Sequence, residues 1–277
     1  AVPLPFVPGN EVAGVVRAVG PGVTRLAVGE RVNAIGVGGK YAQACNVAEA
    51  AALRIPDSLS FEQAAVFRSG FGCAYHALVQ GARLQPGEAV LVLGAGGSVG
   101  LAAVQLAHAF GARVLASASG ADKRDLALRA GADAAIDSQA GDWRAQVRQF
   151  AGDAGIDIVV DPVGGRFTEP AFRTLGGFGR HLMIGFAAGE VPKLPANLAL
   201  VKAASFIGIE QTRFEARFPA LAAANDRALF ALYERGAIAA PPVMHRFAFE
   251  DFREAFRMAR SGRPTGSIVL CVEPATA

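Results

Sequence analysis

The glycines between Gly94 and Gly100 are the residues whose spacing most directly names a chemistry. Gly94, Gly97 and Gly100 fall three apart in Gly94-Ala95-Gly96-Gly97-Ser98-Val99-Gly100. A turn of this composition bends sharply and lets an anion approach main-chain N–H groups. A helix starting there adds the positive end of its dipole, so the ligand class is a phosphate or pyrophosphate. The spacing G-x-x-G-x-x-G is one residue longer in the turn than the usual G-x-G-x-x-G dinucleotide fingerprint. A second set follows about twenty residues on, where an NAD site would place Asp or Glu against the ribose hydroxyls. Here stand Ser117, Ala118 and Ser119, with no acid until Asp122, and then Lys123 and Arg124. Hydroxyls with a cation suit a 2′-phosphate that a carboxylate would repel, so these residues favour NADPH over NADH. The competing reading makes Lys123 and Arg124 a solvated helix face.

The elements that must position these groups are local. Val90 to Leu93 is a short apolar run, as expected of a strand buried on both faces. Val99, Ala103, Leu106 and Phe110 then recur at helical spacing, Gly111 stops the helix, and Val114-Leu115-Ala116 makes a second buried strand. Strand, glycine turn, helix and strand within about thirty residues is the dinucleotide-binding unit. Two alternatives are a flavodoxin-like turn with no nucleotide and a membrane span, since Ala89 to Ala107 carries no charge. The central glycines and the match to the α/β unit argue against a span.

The alternation continues. Helices are expected over Asp122–Ala130, Trp143–Phe150 and Phe167–Leu175, and strands over Ala134–Asp137, Ile156–Val160, Arg180–Ile184 and Ser205–Ile209. This predicts an α/β fold with a doubly wound parallel Rossmann sheet. Asp161-Pro162-Val163-Gly164-Gly165 falls at the C-terminal end of a strand, where ligands bind in such sheets. Residues 1–74 read as β-rich and punctuated by Gly and Pro, with strands over Glu11–Val19, near Val32, from Gly38 to Val47 and at Leu53–Pro56. Ser60 caps a helix over Phe61–Phe67, and Ser69–Gln80 is helical. The short strands predict a partly open barrel. After residue 211 come a helix over Ala222–Gly236, a strand near Met244–Phe247, a helix over Phe249–Ser261 and a last strand, Ser267–Val272. The expected domains are 1–74, a nucleotide domain over 75–211, and a return to the first over 212–277.

Bulk properties exclude other classes. The 277 residues are 52% hydrophobic and 18% charged, which gives ample core and rules out a disordered chain. A net charge of +3 without a basic run or nucleic-acid motif speaks against a nucleic-acid partner. Cys45, Cys73 and Cys271 form no C-x-x-C and fit a reducing cytoplasm. No structural zinc knuckle, Ser-His-Asp set or paired catalytic acids are visible.

Seven motifs together resemble the medium-chain dehydrogenase/reductase superfamily. They are Pro8-Gly9-Asn10-Glu11-Val12-Ala13-Gly14, Val28-Gly29-Glu30-Arg31-Val32, Ala74-Tyr75-His76-Ala77-Leu78, the Gly94–Gly100 turn, Asp161-Pro162-Val163-Gly164-Gly165, Ile184-Gly185-Phe186 and Thr265-Gly266. Within it the chain is similar to the zinc-free NADPH:quinone oxidoreductases, the zeta-crystallin-like group. The resemblance implies a GroES-like β-rich domain beside the Rossmann sheet. It places Cys73 where many members carry a Thr near the nicotinamide, and Ser138 where an aromatic residue often meets the 2′-phosphate. It also implies cofactor contacts from Ala95, Ser98, Val99, Val163, Ile184, Gly185, Phe186, Gly266 and Ser267. Asn10 stands where zinc-dependent relatives have a metal-ligating His, so no metal is expected. Relatives carry a further segment before the P-G-x-E motif, including an Asn that faces the nicotinamide, so the chain reads as N-terminally incomplete.

The implied reaction is hydride transfer from NADPH to a small electrophilic acceptor such as a quinone. An enoyl reductase acting on an enone or acyl thioester is the alternative, and a non-catalytic NADPH-binding sensor is the rival from another class. Tyr41, Phe71, Cys73 and Tyr75 are the candidates for lining a substrate cleft, with a packing role open for each. No membrane partner is expected. A homodimer is expected through the edge strand near 205–209.

Overall fold

The computed structural model describes residues 4–262 and 264–272. In chain order its elements begin with strands β1 (Glu11–Val15), β2 (Arg31–Ile35) and β3 (Ala52–Arg54) and helices α1 (Phe61–Ala64) and α2 (Phe67–Tyr75). Next come β4 (Ala89–Leu93), α3 (Ser98–Ala109), β5 (Arg113–Ala118), α4 (Ala121–Arg129), β6 (Ala134–Asp137), α5 (Trp143–Ala151), β7 (Ile156–Asp161), α6 (Thr168–Phe172) and β8 (Leu175–Met183). The chain closes with α7 (Ala196–Lys202), β9 (Ser205–Gly208), α8 (Gln211–Arg217), α9 (Pro219–Glu234), β10 (Val243–Ala248), α10 (Phe252–Arg260) and β11 (Ser267–Cys271).

The chain forms two compact units, one made of residues up to Ser69 with those from Ala240 onward, the other of Gly70–Ala239. These divisions differ from the expected 74/75 and 211/212. The stretch after 211 stays with the nucleotide unit because its helices are bonded into it. Asn225 in α9 exchanges hydrogen bonds with Gln80, at 3.0 and 3.2 Å, and the N–H of Ala239 donates to Gln105 Oε1 at 2.7 Å.

The first unit holds an antiparallel sheet β1-β2-β3 and a parallel pair β10-β11. Glu11 lies half-buried in it. Its carboxylate accepts from Asn33 Nδ2 and from the N–H groups of Arg68 and Ser69, so one acid caps the start of α2 from a distant strand. Burial raises its pKa against the lowering effect of those bonds. Ser60 caps α1 as expected, in a reciprocal capping box with Gln63. The strand expected from Gly38 to Val47 is absent, and β1 ends at Val15 rather than Val19. Gly38 and Gly39 sit at positive φ, which breaks the extended run. The segment is held instead by N–H groups of Gly39, Lys40 and Tyr41 donating to Val7, Gly9 and Pro8 carbonyls.

The second unit is a six-stranded sheet in the order β6-β5-β4-β7-β8-β9, parallel throughout. All five residues of β4 are buried, which explains its uninterrupted apolar run. Each large side chain buried there contributes about 1.5–3 kcal/mol relative to exposure. Val92 pairs in register with Ala116 and with Val160, and Asp161 with Met183. Consequently the segments after β4, β5, β7 and β8 leave the sheet along one edge. Chain order reverses beside β4, with β5 and β6 on one side and β7 to β9 on the other, which is where such sheets bind dinucleotides. The helix expected over Phe167–Leu175 stops at Phe172, and β8 starts early, at Leu175. Helices α7 and α8 were not expected.

Candidate active site

The glycine turn contains two kinds of glycine. Gly94 takes φ +60°, and a Cβ there would come within 2.8 Å of Val163 Cγ2. A Cβ on Gly100 would collide with the Gly94 carbonyl oxygen. These two are required by the turn's own packing. Gly97 is different: its φ is −91°, and an added Cβ would meet only the Gly94 carbonyl, at an ordinary 3.5 Å. Its bareness leaves space to a ligand. Gly97 caps the 12-residue α3 without a side-chain hydrogen bond, and Gly97 and Ser98 are exposed. A helix start normally takes Ser, Thr, Asp or Asn at this position to satisfy its first N–H groups. N–H groups left uncapped and open at a helix start are of the kind that can hold an anion. Ala95 is buried, and its N–H donates to the Ser117 carbonyl at 3.2 Å, tying the turn to β5.

Lys123 lies on the first turn of α4, with its stem against the glycine turn. A Cβ on Gly96 would sit 2.6 Å from Lys123 Cβ and Cγ. Gly96 was missed as a site residue because it falls between the spaced glycines. Ser119 is exposed at the end of β5, and Ser138, half-buried, sits beyond β6 with its N–H on the Ala118 carbonyl. Ser117 and Arg124 are otherwise engaged. Ser117 is fully buried, and its hydroxyl accepts from Trp143 Nε1 at 2.9 Å. Arg124 pairs with Asp137 at 3.2 Å and donates to the Ala118 carbonyl. The short-range pattern could not reveal either long-range partner.

Across β4, Asp161 organises two loops. Its buried carboxylate accepts from the N–H groups of Val163 and Gly164 at 2.9 and 2.8 Å, from Thr168 Oγ1 at 2.7 Å and from His181 Nε2 at 3.0 Å. Burial pushes its pKa up. The hydrogen bonds from His181, Gly164 and Thr168, with the His181 charge, outweigh that and hold the carboxyl below its ordinary value. Its main-chain oxygen accepts from Ile184, and the Pro162 and Val163 carbonyls accept from Ala187 and Ala188. Val163, Ile184, Gly185 and Phe186 are thereby brought to the same edge as the turn; a Cβ on Gly164 would lie 3.0 Å from Phe186 Cδ1. His181 and Thr168 escaped the sequence reading. A lone polar residue inside the Leu182-Met183 strand was the available signal for a buried partner.

The four cleft candidates part ways. Phe71 is 1% exposed and belongs to the core. Tyr75 packs edge-on against Phe110 at 6.0 Å. That is the far end of α3 from the turn, about 18 Å along the helix. Cys73 is half-buried, and burial together with Glu210 and Glu215 pushes its thiol up to about 11. Tyr41 lies in the first unit, 5.7 Å from the Phe256 ring. Gly266 and Ser267 also belong to that unit, at the start of β11, where Ser267 is buried.

Donor chemistry around Asn10 does not fit zinc. Its side-chain oxygen accepts from the Gly38 N–H at 3.1 Å, and the adjoining Glu11 carboxylate is committed to donors of Asn33, Arg68 and Ser69. Among the described residues no group of three or more His, Cys, Asp or Glu could hold a metal.

Comparison with known proteins gives a consistent picture. The model of the alcohol dehydrogenase GroES-like domain matches residues 1–57, and that of the zinc-binding dehydrogenase matches residues 98–225. The quinone oxidoreductase-like protein 2 homolog of Nematostella vectensis is 36% identical over 96% of this chain and 73% of its own length. Polyketide synthase GfsB of Streptomyces halstedii is 38% identical over 99% of this chain and 5% of its own length. Among solved structures, mycobacterial Rv1454c complexed with NADPH is 30% identical with a TM-score of 0.89, covering 97% of this chain and 84% of that one.

Proposed function

The chain belongs to the medium-chain dehydrogenase/reductase superfamily, in its quinone oxidoreductase branch, and from that premise we propose that it reduces a quinone with NADPH and without a metal. The observation that carries the reading is the uncapped start of α3 with the Lys123 stem laid across Gly96. The N–H groups at Ser98–Gly100 hold the pyrophosphate, while Ser119, Lys123 and Ser138 receive the 2′-phosphate end. Val163, Ile184, Gly185 and Phe186 line the other half, and the family pattern adds Cys73. When bound, NADPH supplies the hydride. The protein's share is to hold the reactive ring in place and keep water from it. Since the Asn10 surroundings do not suit zinc, the acceptor must carry its own electrophilicity. A quinone or an α,β-unsaturated carbonyl does so; an unactivated alcohol or aldehyde does not.

A second reading, enoyl reduction of an acyl thioester, draws support from the 38% identity to a segment of a polyketide synthase. The test offers an ortho-quinone and a 2-enoyl thioester in parallel, with NADPH and then NADH, each with and without chelator. Turnover of the quinone with NADPH, unchanged by chelator, is expected. Turnover of the thioester alone moves the chain to the enoyl reductases, and loss in chelator defeats the metal-free reading.

The proposed assembly is a homodimer through β9. That strand ends the sheet, Phe206 on it is 42% exposed, and Leu200 and Val201 of the preceding helix are 82% and 80% exposed. The proposed compartment is the cytoplasm, which suits three free cysteines. Among the described residues no helix is long and apolar enough to cross a membrane.

A further inference from the structure

Resting on the NADPH reading of the second unit, we propose that His181 is a positioning residue for the nicotinamide half of the cofactor, acting through Asp161 on the loop Pro162–Gly165. The sheet order supplies the placement. β5, with Ser119 and Lys123 beyond it, lies on one side of β4, and β7 and β8 lie on the other. A dinucleotide with its pyrophosphate on α3 and its 2′-phosphate over β5 has its remaining half over β7 and β8. The loops there hang on a single carboxylate. Asp161 Oδ1 takes the N–H groups of Val163 and Gly164, and Oδ2 takes Thr168 and His181.

An ionised carboxylate has no hydrogen to give, so Nε2 of His181 is the donating nitrogen. The other ring nitrogen, Nδ1, is buried with no hydrogen-bond partner among the described residues. The ring packs against Phe172, at 5.9 Å, and Phe206, at 5.2 Å, in a three-ring cluster. A Leu or Phe would fill that slot without an orphaned nitrogen, and such orphans are costly. What only the histidine adds is the Nε2–H on Asp161. That bond fixes one carboxylate oxygen, and through the rigid carboxylate plane it sets the other oxygen that holds the Val163 and Gly164 N–H groups.

The test compares NADPH with 2′,5′-ADP, which has the adenosine and 2′-phosphate but no nicotinamide. In His181→Leu, NADPH affinity should fall on the order of tenfold, the scale of one buried charged hydrogen bond. Affinity for 2′,5′-ADP should stay unchanged, and His181→Gln, which keeps an N–H donor, should recover most of the loss. Equal weakening of both ligands would show a merely structural role and overturn the proposal, as would unchanged NADPH binding. If His181→Leu does not fold, Thr168→Val removes another donor from the same oxygen and should show the same split. Equal losses there overturn it too. Failure of the unaltered chain to bind NADPH or 2′,5′-ADP would instead sink the NADPH reading on which the proposal rests.

Discussion

Single atoms separate the glycines of the turn into those the chain needs and those a ligand needs. Gly97→Ala meets only an ordinary contact, so its melting temperature should stay close to the parent's while the KM for NADPH rises. Gly100→Ala drives a methyl into the Gly94 carbonyl and should lose folding stability as well; thermal melts beside NADPH titrations separate the two. Lys123→Met keeps the methylenes that rest against Gly96 but removes the charge. It should raise the KM for NADPH by roughly tenfold or more, the value of a charge-assisted phosphate contact, and leave NADH unaffected. Cys73 is a poor nucleophile at neutral pH, because its thiol ionises only near 11. With Cys45 and Cys271 replaced by Ser, alkylation by iodoacetamide should stay slow at pH 8 and climb toward a midpoint near 11. A midpoint near the ordinary thiol value would refute the burial argument.

At the scale of elements, the strand–turn–helix–strand unit was legible because everything that shapes it is local. The apolar run of β4, the glycines and the 3.6-residue repeat of α3 all act within a few residues of one another. What was not legible depends on distant partners. Ser117 reads as a phosphate ligand until Trp143, 26 positions away, takes its hydroxyl. Phe71 and Tyr75 read as cleft residues until the core encloses one and Phe110 engages the other. The run from Gly38 looked extended, but positive φ at two glycines turned it into a loop. The loops after β7 and β8 bear a pH signature of their own. Asp161 has its pKa lowered in the folded state, so the unfolded chain binds its proton first as pH drops. The stabilisation is complete above the ordinary value of 3.8 and is lost as pH falls through the lower folded value. Urea midpoints of the parent and of Asp161→Asn should therefore differ at pH 6 and converge under strong acid. A constant gap would mean that the carboxyl's ionisation contributes nothing.

For the molecule as a whole, the sheet edge at β9 is the feature with the clearest outward consequence. Sedimentation should give a dimer, and Leu200→Asp with Val201→Asp, both at strongly exposed positions, should shift it to monomer without altering the melt of the sheet core. A parent that sediments as a monomer at high concentration would reject that assembly. The division into units has another consequence, in the order of synthesis. Gly70–Ala239 is one unbroken stretch, whereas the other unit is written in two pieces that flank it. On the ribosome the nucleotide unit is complete once Ala239 emerges. The other unit must wait for β10 and β11, holding Tyr41 without Phe256 and Glu62 without Arg246 until the residues past Ala239 appear. The unit begun before the nucleotide unit is thus finished after it, and a premature stop shortly past Ala239 strikes the unit whose synthesis started earlier.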